Sequence, residues 1–591
     1  MEEREVYSAE LINSDTDDEF QFELYRDNLV DTIIEGSGSN YELGSSSEES
    51  YTPVLKKQRR RVVESDDNDN GSTSGEEDED DAWYDVTENE NISHRINFTV
   101  APKTVGPQVS SNVVEPTHFF KLFFTEQLVD EIINETNNYA KTMLQSKKIT
   151  ANSIWKTWRD VERNEFWAFI AVVLNMGTMP VANIQEYWST KDNSRIPFFS
   201  SIFKRYRFNQ IFWMLHLKTP AAAAKSRLQR ASNFLEYIDS KFSEHFIPGV
   251  NICVYESILK FKGRVSFITS NPNRPTKRGI RIYVLADSQT GYVYGILPYY
   301  GSITLENLIR PDLSINCRVP LHLYQKLLNQ IPTAEGYHMY TDKDYTSISL
   351  AEELMKLKCH LTGTIQTNRK GVPISIKKPK FSNKNTVAYR KENTMLLAWK
   401  DKGIVNVLST GSHAGMTSTR KTVRDGADVI IKKPDVVLNY TASVAGVDYV
   451  NQYASTYCFL RKSLKWWRKL FFWGMEICAI NAYILYKTVK KANNQKPMTH
   501  LKFVKLLVDQ LRGNFRQERG RDFSAPAENR LNGKLHVMRK GTKRDCVVCS
   551  KRQQKSGRRE TIDYCDTCRN KPRMHMGDCF YRYHTMQDYK V

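Results

Sequence analysis

The 591-residue chain has few cysteines and no long apolar run. Ten cysteines are too few for a disulfide-stapled secreted scaffold, and the acidic first residues lack the apolar segment of a signal peptide. The longest apolar stretch, residues 470–486, is shorter than the roughly 20 residues of a membrane span and contains Glu476 and Asn481. We therefore expect no secretion signal and no membrane partner.

Charge is distributed unequally along the chain. Residues 1–100 contain 28 acidic and 8 basic side chains, a balance of −20, whereas residues 101–591 contain 77 basic and 39 acidic ones, a balance of +38. A folded body this basic favours a polyanionic partner, with nucleic acid as the first candidate. The alternative is a basic surface that only keeps the protein soluble.

Residues 1–112 have the composition of an acidic disordered tail. Runs such as residues 71–81 (GSTSGEEDEDD) cannot bury enough apolar surface to fold. Within this tail stands one isolated basic cluster, formed by Lys56, Lys57, Arg59, Arg60 and Arg61. A basic cluster in an accessible tail predicts nuclear import, although a chance basic patch would have the same composition.

The spacing of apolar residues divides the rest of the chain into helical and β-rich parts. Residues 117–250 show apolar residues at helical spacing. Residues 251–369 read as three strands, a helix, a strand, a helix and a strand, which predicts an α/β domain with a mixed sheet. Residues 370–435 are basic and β-leaning, as in an insertion, and helices return from about 446 to 513.

The C-terminal tail carries the spacing of a zinc-binding domain. Seven nitrogen or sulfur ligands stand at short intervals: Cys546, Cys549, Cys565, Cys568, His575, Cys579 and His584. Two tetrahedral Zn²⁺ ions need eight ligands, and His536 is the best candidate for the eighth. So short a segment lacks the core to fold without metal, so we expect two structural zincs.

Two basic clusters are candidates for contacts with DNA. Arg274, Lys277 and Arg278 stand in a proline-containing loop before a strand, where their side chains could reach phosphates. Residues 461–469 interleave cations with two indoles, and the expected contacts come from Arg461, Lys462, Lys465 and Trp466. Such a segment neutralises backbone charge while Trp466 stacks on an unpaired base; the alternative is that both indoles belong to a helix core.

Several short motifs follow one another in a fixed order along residues 117–591. They are residues 119–140 (FFKLFFTEQLVDEIINETNNYA), EYWS at 186–189, ESxxxFKG at 256–263, RPTKRG at 274–279, DxxYTS at 342–347, GVD at 446–448, RKSLKW at 461–466 and the cysteine-rich tail. In this order they resemble the piggyBac-like transposases and their domesticated derivatives. No single motif is decisive, but the order is specific.

The resemblance implies an α/β RNase H-like core with an insertion, embedded in a mostly helical dimerisation and DNA-binding domain, with a C-terminal cross-brace zinc finger. It implies a homodimer that binds DNA. The expected parts are helical at 117–250 and 457–530, core at 251–369 and 436–456, insertion at 370–435, and zinc-binding at 536–591.

The resemblance also implies a chemistry and exposes a departure from it. Family members hold two Mg²⁺ ions with aspartates, and hard Mg²⁺ needs oxygen ligands in near-octahedral order. By position, Asp342 and Asp448 are retained, whereas Tyr255 and Asn451 stand where members carry aspartate. A phenol is no carboxylate ligand at neutral pH. Glu256 would point to the opposite face of its strand unless the strand is bulged.

Three functions therefore stay open at this point. The leading one is a nuclear DNA-binding protein derived from a transposase that no longer cuts DNA. The second is an active cut-and-paste transposase that depends on magnesium. The third is a chromatin- or protein-binding module that acts through its zinc tail, although the basic residues between the two CxxC pairs favour DNA there.

Overall fold

The structure is a computed structural model of the whole chain. It describes residues 83–86, 96–146, 149, 153–218, 228–261, 263, 265–270, 278–381, 385–422, 428–444, 465–515, 530–531, 533, 535–551, 556–568 and 570–590. The chain forms two compact units, Met1–Phe515 and Arg516–Val591, which are described separately below. The import cluster at 56–61 lies outside the described residues.

Fourteen strands are described in the first unit. In chain order they are β1 (Tyr84–Asp85), β2 (Gly106–Pro107), β3 (Phe246–Ile247), β4 (Asn251–Lys260), β5 (Thr269–Ser270), β6 (Arg278–Asp287), β7 (Val293–Pro298), β8 (His338–Thr341), β9 (His360–Thr364), β10 (Thr386–Lys391), β11 (Thr394–Lys400), β12 (Ile404–Ser409), β13 (Met416–Thr422) and β14 (Asp428–Pro434). Ten of them form one mixed sheet, while β2–β3 and β13–β14 are separate pairs.

The central sheet has the order β7–β6–β4–β8–β9 at its core. Strands β4, β7, β8 and β9 run in one direction, whereas β6, which lies between β7 and β4, is antiparallel to them. The β6–β7 hairpin turns at Gly291, whose positive φ of 76° glycine adopts without strain. Strands β12, β11 and β10 extend the sheet beyond β9, each antiparallel to its neighbour. The predicted mixed sheet is confirmed, and part of the β-leaning insertion belongs to the same sheet.

The described helices of the first unit surround this sheet. They are α1 (Pro116–Lys121), α2 (Glu126–Ser146), α3 (Arg163–Thr178), α4 (Pro197–Ile202), α5 (Arg205–Met214), α6 (Gln229–Glu244), α7 (Ser302–Asn307), α8 (Ile315–Gln330), α9 (Ile348–Lys356), α10 (Ile374–Lys377), α11 (435–444), α12 (Trp466–Ala492) and α13 (His500–Arg512).

Helix α12 joins the two helical parts of the chain to the sheet. It packs against α1 and α6, and α13 packs against α3. Asn481, which is fully buried on α12, accepts a 3.0 Å bond from the Val293 N–H and donates a 2.8 Å bond to the Val293 carbonyl. This amide therefore clamps the edge strand β7. Among the described helices, including the 27-residue α12, none combines the length and apolar character that a bilayer span requires.

The expected disordered tail of residues 1–112 is too long. Strand β1 pairs antiparallel with β10, and the Val86 N–H donates a 3.0 Å bond to the Ala388 carbonyl. Val86 is buried in a small core that includes Leu397 and Val407. Residues 96–112 are likewise described and contain β2. Although the surrounding sequence is acidic, these residues take part in the fold because apolar side chains such as Val86 are buried.

The second unit is built around a two-stranded ribbon and one helix. Strand β15 (Met538–Asp545) pairs antiparallel with β16 (Glu560–Cys565), and helix α14 (Asp578–Thr585) follows. The small core of this unit includes Cys546, Cys565, Cys568, Met574 and Tyr583. With half of that core made of sulfur ligands, apolar burial alone gives this unit little stability.

Candidate functional site

The parallel pairing of β4 with β8 relates two of the residues that the sequence singled out, Tyr255 and Asp342. In the parallel ladder, Cys253 on β4 pairs with Tyr340 on β8. Continued by two residues along both segments, this register would bring Tyr255 level with Asp342, which follows β8, on the face that Cys253 and Tyr340 share. Along this register, a phenol stands at the level where the family pattern has a second carboxylate.

Tyr255 belongs to the core of the first unit. Its side chain is 8% exposed, and it pairs with Val284 on the neighbouring strand β6. Burial raises the pKa of Tyr255 well above its usual value, and the nearby Cys253 thiol raises it further. The phenol is thus neutral at any physiological pH and cannot act as an anionic ligand.

Asp342 begins the turn that follows β8. Its carboxylate oxygen Oδ1 accepts a 3.0 Å bond from the Asp344 N–H, and its carbonyl accepts bonds from the N–H groups of Tyr345 and Thr346. The Thr346 hydroxyl donates a further 2.8 Å bond to the same carbonyl. The turn therefore fixes the Asp342 carboxylate through one of its oxygens. The residue is only partly buried and keeps contact with solvent.

Glu256 has partners of its own on the other face of β4. The Tyr345 hydroxyl donates a 2.6 Å bond to Glu256 Oε1, and Arg281 NH1 lies 3.4 Å from the same oxygen. The Glu256 side chain is 6% exposed. Burial raises the pKa of Tyr345 well above its usual value, and Glu256 contributes to the rise. No bulge in β4 accompanies this arrangement, because the β4–β6 register is continuous.

These two partners of Glu256 were not identified from the sequence. Tyr345 stood in the DxxYTS motif without a role, and Arg281 is one of several cations in a β-rich segment. A spacing of 25 residues between Glu256 and Arg281 carries no local signal, because it becomes a contact only through the β4–β6 pairing.

Asp448 and Asn451 lie outside the described residues, but the helix before them is described. On α11, the Tyr440 hydroxyl lies 3.4 Å from the Thr364 hydroxyl of β9. Asp342 raises the pKa of Tyr440, although burial is the larger cause. Helix α11 therefore contacts β9, the strand that pairs with β8, and precedes residue 448 in the chain.

The DNA-contact candidates are only partly described. Arg278 is exposed at the start of β6, whereas Arg274, Lys277, Arg461 and Lys462 lie outside the described residues. Lys465 precedes α12 and is partly buried.

Trp466, the first residue of α12, is 7% exposed. Its ring packs edge-on against Phe267 at 5.3 Å and against Tyr300 at 6.3 Å between centroids. In this conformation the indole is helix core, as one of the two interpretations held, and base stacking would require these contacts to break.

In the second unit, the eight candidate ligands form two clusters of four. Cys546, Cys549, His575 and Cys579 make one cluster, and His536, Cys565, Cys568 and His584 make the other. The ligand atoms of each cluster lie within 4.8 Å of one another. In sequence the clusters alternate: His575 and Cys579, from beyond the second CxxC pair, complete the first pair, and His536 and His584, from the two ends of the segment, complete the second. His536 takes the place that the spacing indicated for it.

The distances within each cluster fit tetrahedral zinc. The Sγ atoms of Cys565 and Cys568 lie 3.5 Å from His536 Nδ1, and Cys549 Sγ lies 3.4 Å from His575 Nδ1. Zn–S bonds of about 2.3 Å and Zn–N bonds of about 2.0–2.1 Å at tetrahedral angles place S and N about 3.5 Å apart.

The tautomer of His584 also suits a metal. Its Nδ1 lies 2.9 Å from the Phe580 carbonyl, which leaves Nε2 pointing into the cluster, 3.5 Å from Cys568 Sγ. Metal-bound histidines usually donate the N–H of their other ring nitrogen to a carbonyl or carboxylate in this way. The clusters can therefore each hold a zinc-like ion, and no other described group of three or more such side chains is close enough to do so.

A strongly basic strand flanks these clusters. On β15, the exposed residues include Arg539, Lys540, Lys543 and Arg544. Arg573 adds a cation at the same ribbon, 4.6 Å above the Tyr564 ring. Three cations near β15 and β16, Arg539, Lys543 and Arg558, have carboxylate partners, so the surplus charge comes chiefly from Lys540, Arg544 and Arg573.

Comparisons with known proteins agree on one family. A family model described as transposase IS4 matches residues 115–483. Three human proteins are similar. PiggyBac transposable element-derived protein 2 is 22% identical over 395 residues, 64% of this chain and 62% of that protein. PiggyBac transposable element-derived protein 3 is 22% identical over 80% of this chain and 76% of its own length. PiggyBac transposable element-derived protein 5 is 23% identical over 67% of this chain and 75% of its own length.

A solved structure shows the same fold. A chain from the cryo-EM structure of the piggyBac transposase synaptic complex with hairpin DNA aligns with a TM-score of 0.61 at 22% identity. The alignment covers 72% of this chain and 86% of that one. The match to the first of the human proteins leaves more than a third of its length uncovered.

Proposed function

Because this chain belongs to the transposase IS4 family, as a piggyBac-like member, we propose that it is a nuclear DNA-binding protein that no longer cleaves DNA. In the order β7–β6–β4–β8–β9, β6 alone runs antiparallel to the other four strands, which supports an RNase H-like core. The surrounding helices α1–α6, α12 and α13 form its dimerisation and DNA-binding domain, and the protein acts as a dimer.

The observation that carries this proposal is the buried phenol of Tyr255 on β4, in the register that leads toward Asp342. Two magnesium ions about 3.5–4 Å apart repel one another, and carboxylates must offset that repulsion. Tyr255 and Asn451 each remove one negative charge from the family pattern, which leaves Asp342 and Asp448 against four positive charges. The buried Tyr255 ring also fills space that a metal or its water would need. The residues present do not fit a two-magnesium site.

An active transposase is the second candidate, and it would need Glu256 as a replacement ligand. Glu256 lies on the opposite face of β4 from Tyr255 and is already bonded to Tyr345 and near Arg281. To reach Asp342, the glutamate would have to leave both partners and cross the sheet. This favours the inactive form, in which Asp342 is an inherited turn residue.

The second unit contributes structure and affinity. We infer that two zinc ions hold its interleaved clusters, and that the basic β15 strand contacts DNA phosphates. A protein-reading role for this unit is the competing interpretation, but its exposed cations favour DNA. The basic cluster at residues 56–61 would direct the protein to the nucleus, where its DNA partner is.

Two measurements on the full chain test the proposal. We expect mixed-sequence duplex DNA to bind with an affinity that falls steeply as salt rises, because each neutralised phosphate releases counterions. We also expect no nicking or joining of DNA carrying the ends of a related element, in the presence of Mg²⁺ or Mn²⁺. Absent binding at low salt would overturn the first half of the proposal, and metal-dependent nicking the second.

A further inference from the structure

Strands β13 and β14 form a ribbon that stands apart from the central sheet. Their seven residues pair antiparallel throughout, from Met416 opposite Pro434 to Thr422 opposite Asp428, and neither strand pairs with any other described strand. At about 3.4 Å per residue, the ribbon is about 24 Å long. We call residues 416–422 and 428–434 the basic ribbon, because they contain four basic residues and one acidic residue.

The base of the basic ribbon is fixed to the core. Ala414 before β13 and Val436 after β14 are both buried in the small core of the insertion. The Asp435 N–H donates a 2.9 Å bond to the Gly415 carbonyl, and the Thr417 hydroxyl donates a 2.6 Å bond to Asp435 Oδ1. A two-stranded ribbon alone is only marginally stable, so these contacts determine where it projects.

One face of the basic ribbon presents an isoleucine to solvent among polar residues. Ile430 is 71% exposed, and Ser418 and Lys432, which share its face by alternation and pairing, are exposed as well. Lys433 and Ile431 lie on the other face and are partly buried. An isoleucine this exposed contributes nothing to the core, and on a strand without further pairing it invites association.

Charge identifies the partner that such a surface fits. Residues 370–435 contain 14 basic and 5 acidic side chains, a balance of +9. The major groove of B-DNA admits a two-stranded β-ribbon, and apolar side chains contact thymine methyl groups there. The basic ribbon continues directly into α11, whose Tyr440 hydroxyl lies 3.4 Å from the Thr364 hydroxyl of β9, so the ribbon is joined through one helix to the central sheet.

We propose that the basic ribbon enters a groove of duplex DNA, with Lys432 and Lys433 on phosphates and Ile430 against the base pairs. This inference rests on the proposed DNA-binding function and adds to it a specific surface. A second copy of this chain is the other occupant that an exposed isoleucine could attract, and the experiment separates the two.

The experiment measures binding of the full chain and its variants to mixed-sequence duplex DNA across a salt titration. We expect Lys432→Ala with Lys433→Ala to reduce the magnitude of the slope of log affinity against log salt by about 2, because about 0.9 counterions are released per phosphate contact. We expect Ile430→Ala to weaken binding about fivefold without changing that slope, because it removes apolar contact and no charge.

The insertion itself supplies matched controls. Lys377, Lys378 and Pro379 repeat the Lys-Lys-Pro sequence of residues 432–434 outside the ribbon, and Ile404 on β12 is 52% exposed. Lys377→Ala with Lys378→Ala should leave the slope nearly unchanged, and Ile404→Ala should leave the affinity unchanged. Thermal unfolding checks that every variant is folded.

Three outcomes would overturn the proposal while leaving DNA binding by the rest of the protein intact. One is an equal decrease in the slope of log affinity against log salt for the two double-lysine variants, which would indicate diffuse electrostatic attraction. Another is unchanged binding by Ile430→Ala. The third is a change in self-association, seen by sedimentation, in place of a change in DNA affinity. Failure of the unmodified chain to bind DNA would instead defeat the proposed function itself.

Discussion

At the residue scale, one side chain separates this protein from the chemistry of its family. Tyr255 lies two residues beyond the last β4–β8 pair, as Asp342 does on the other strand, in the register that would bring two carboxylates together. Because Tyr255 is also part of the core, the substitution is more than a lost ligand: the ring now contributes packing. Restoring a carboxylate at position 255 should therefore favour metal binding and lower the stability of the fold.

We predict that Tyr255→Asp alone destabilises the protein by about 3 kcal/mol, because it removes a buried aromatic ring and buries a carboxylate. Tyr255→Asp with Asn451→Asp should raise the melting temperature when Mg²⁺ is added and should give the best recovery of nicking. Calorimetry with and without Mg²⁺ measures the first effect, and an end-cleavage assay the second. If the unmodified chain nicks DNA and Glu256→Ala abolishes the activity, Glu256 is a ligand and the inactive interpretation is wrong.

The Glu256 bond to Tyr345 makes a separate prediction about stability. Tyr345→Phe removes a 2.6 Å bond to a buried carboxylate, and hydrogen bonds to charged groups contribute about 1.5–3 kcal/mol. We expect a loss in this range by urea unfolding. Tyr206→Phe, at a side chain 38% exposed on α5, should change stability by less than about 0.5 kcal/mol. Equal effects of the two substitutions would mean that Glu256 and Tyr345 contribute no special contact.

At the scale of elements, the sequence predicts local secondary structure better than it predicts the pairing of distant strands. The strands at 251–260, 278–287 and 293–298 and the helix at 348–356 follow the predicted order, because period and turn signals are local. The pairing of β12 with β9, which merges the insertion with the core sheet, depends on residues about 45 positions apart and leaves no local signal.

The candidate sites divide in the same way. The eight zinc ligands could be found from spacing, because a metal imposes ligand type and interval. The burial of Trp466 against Phe267 and Tyr300 could not, since an indole among cations has the same sequence whether it faces a base or a core.

The interleaved clusters predict coupled loss of metal. Cys565→Ser with Cys568→Ser removes two ligands of one cluster. Because both clusters depend on the same β15–β16 ribbon, the other cluster should be affected as well. Since the core of this unit is small, we expect elemental analysis of the full chain to fall from about two zincs to well below one. Cys317→Ser with Cys359→Ser, at two buried thiols of the first unit, is the matched control and should keep both ions. A stable one-zinc product would show that the clusters fold independently.

At the scale of the whole molecule, opposite charges are separated along one chain. Residues 1–82 contain 25 acidic and 7 basic side chains, a balance of −18, so the chain that begins at Trp83 carries +36 in place of +18. An acidic segment tethered to a basic body competes with DNA for the same cations. This competition acts through charge alone and needs no fixed contact, so that salt screens it as it screens DNA binding.

We therefore predict that removing residues 1–82, which leaves β1 in place, strengthens binding to mixed-sequence duplex DNA at low salt. The gain should shrink as salt approaches the concentration at which the Debye length falls to about 3 Å, near 1 M. A variant of full length in which Glu76, Glu77, Asp78, Glu79, Asp80 and Asp81 become Gln or Asn should recover part of the gain, which separates charge from chain length. Fluorescence anisotropy across a salt series measures all three proteins. Equal affinities at low salt would show that the tail does not compete with DNA, and a gain that persists at high salt would point to a specific contact instead of charge.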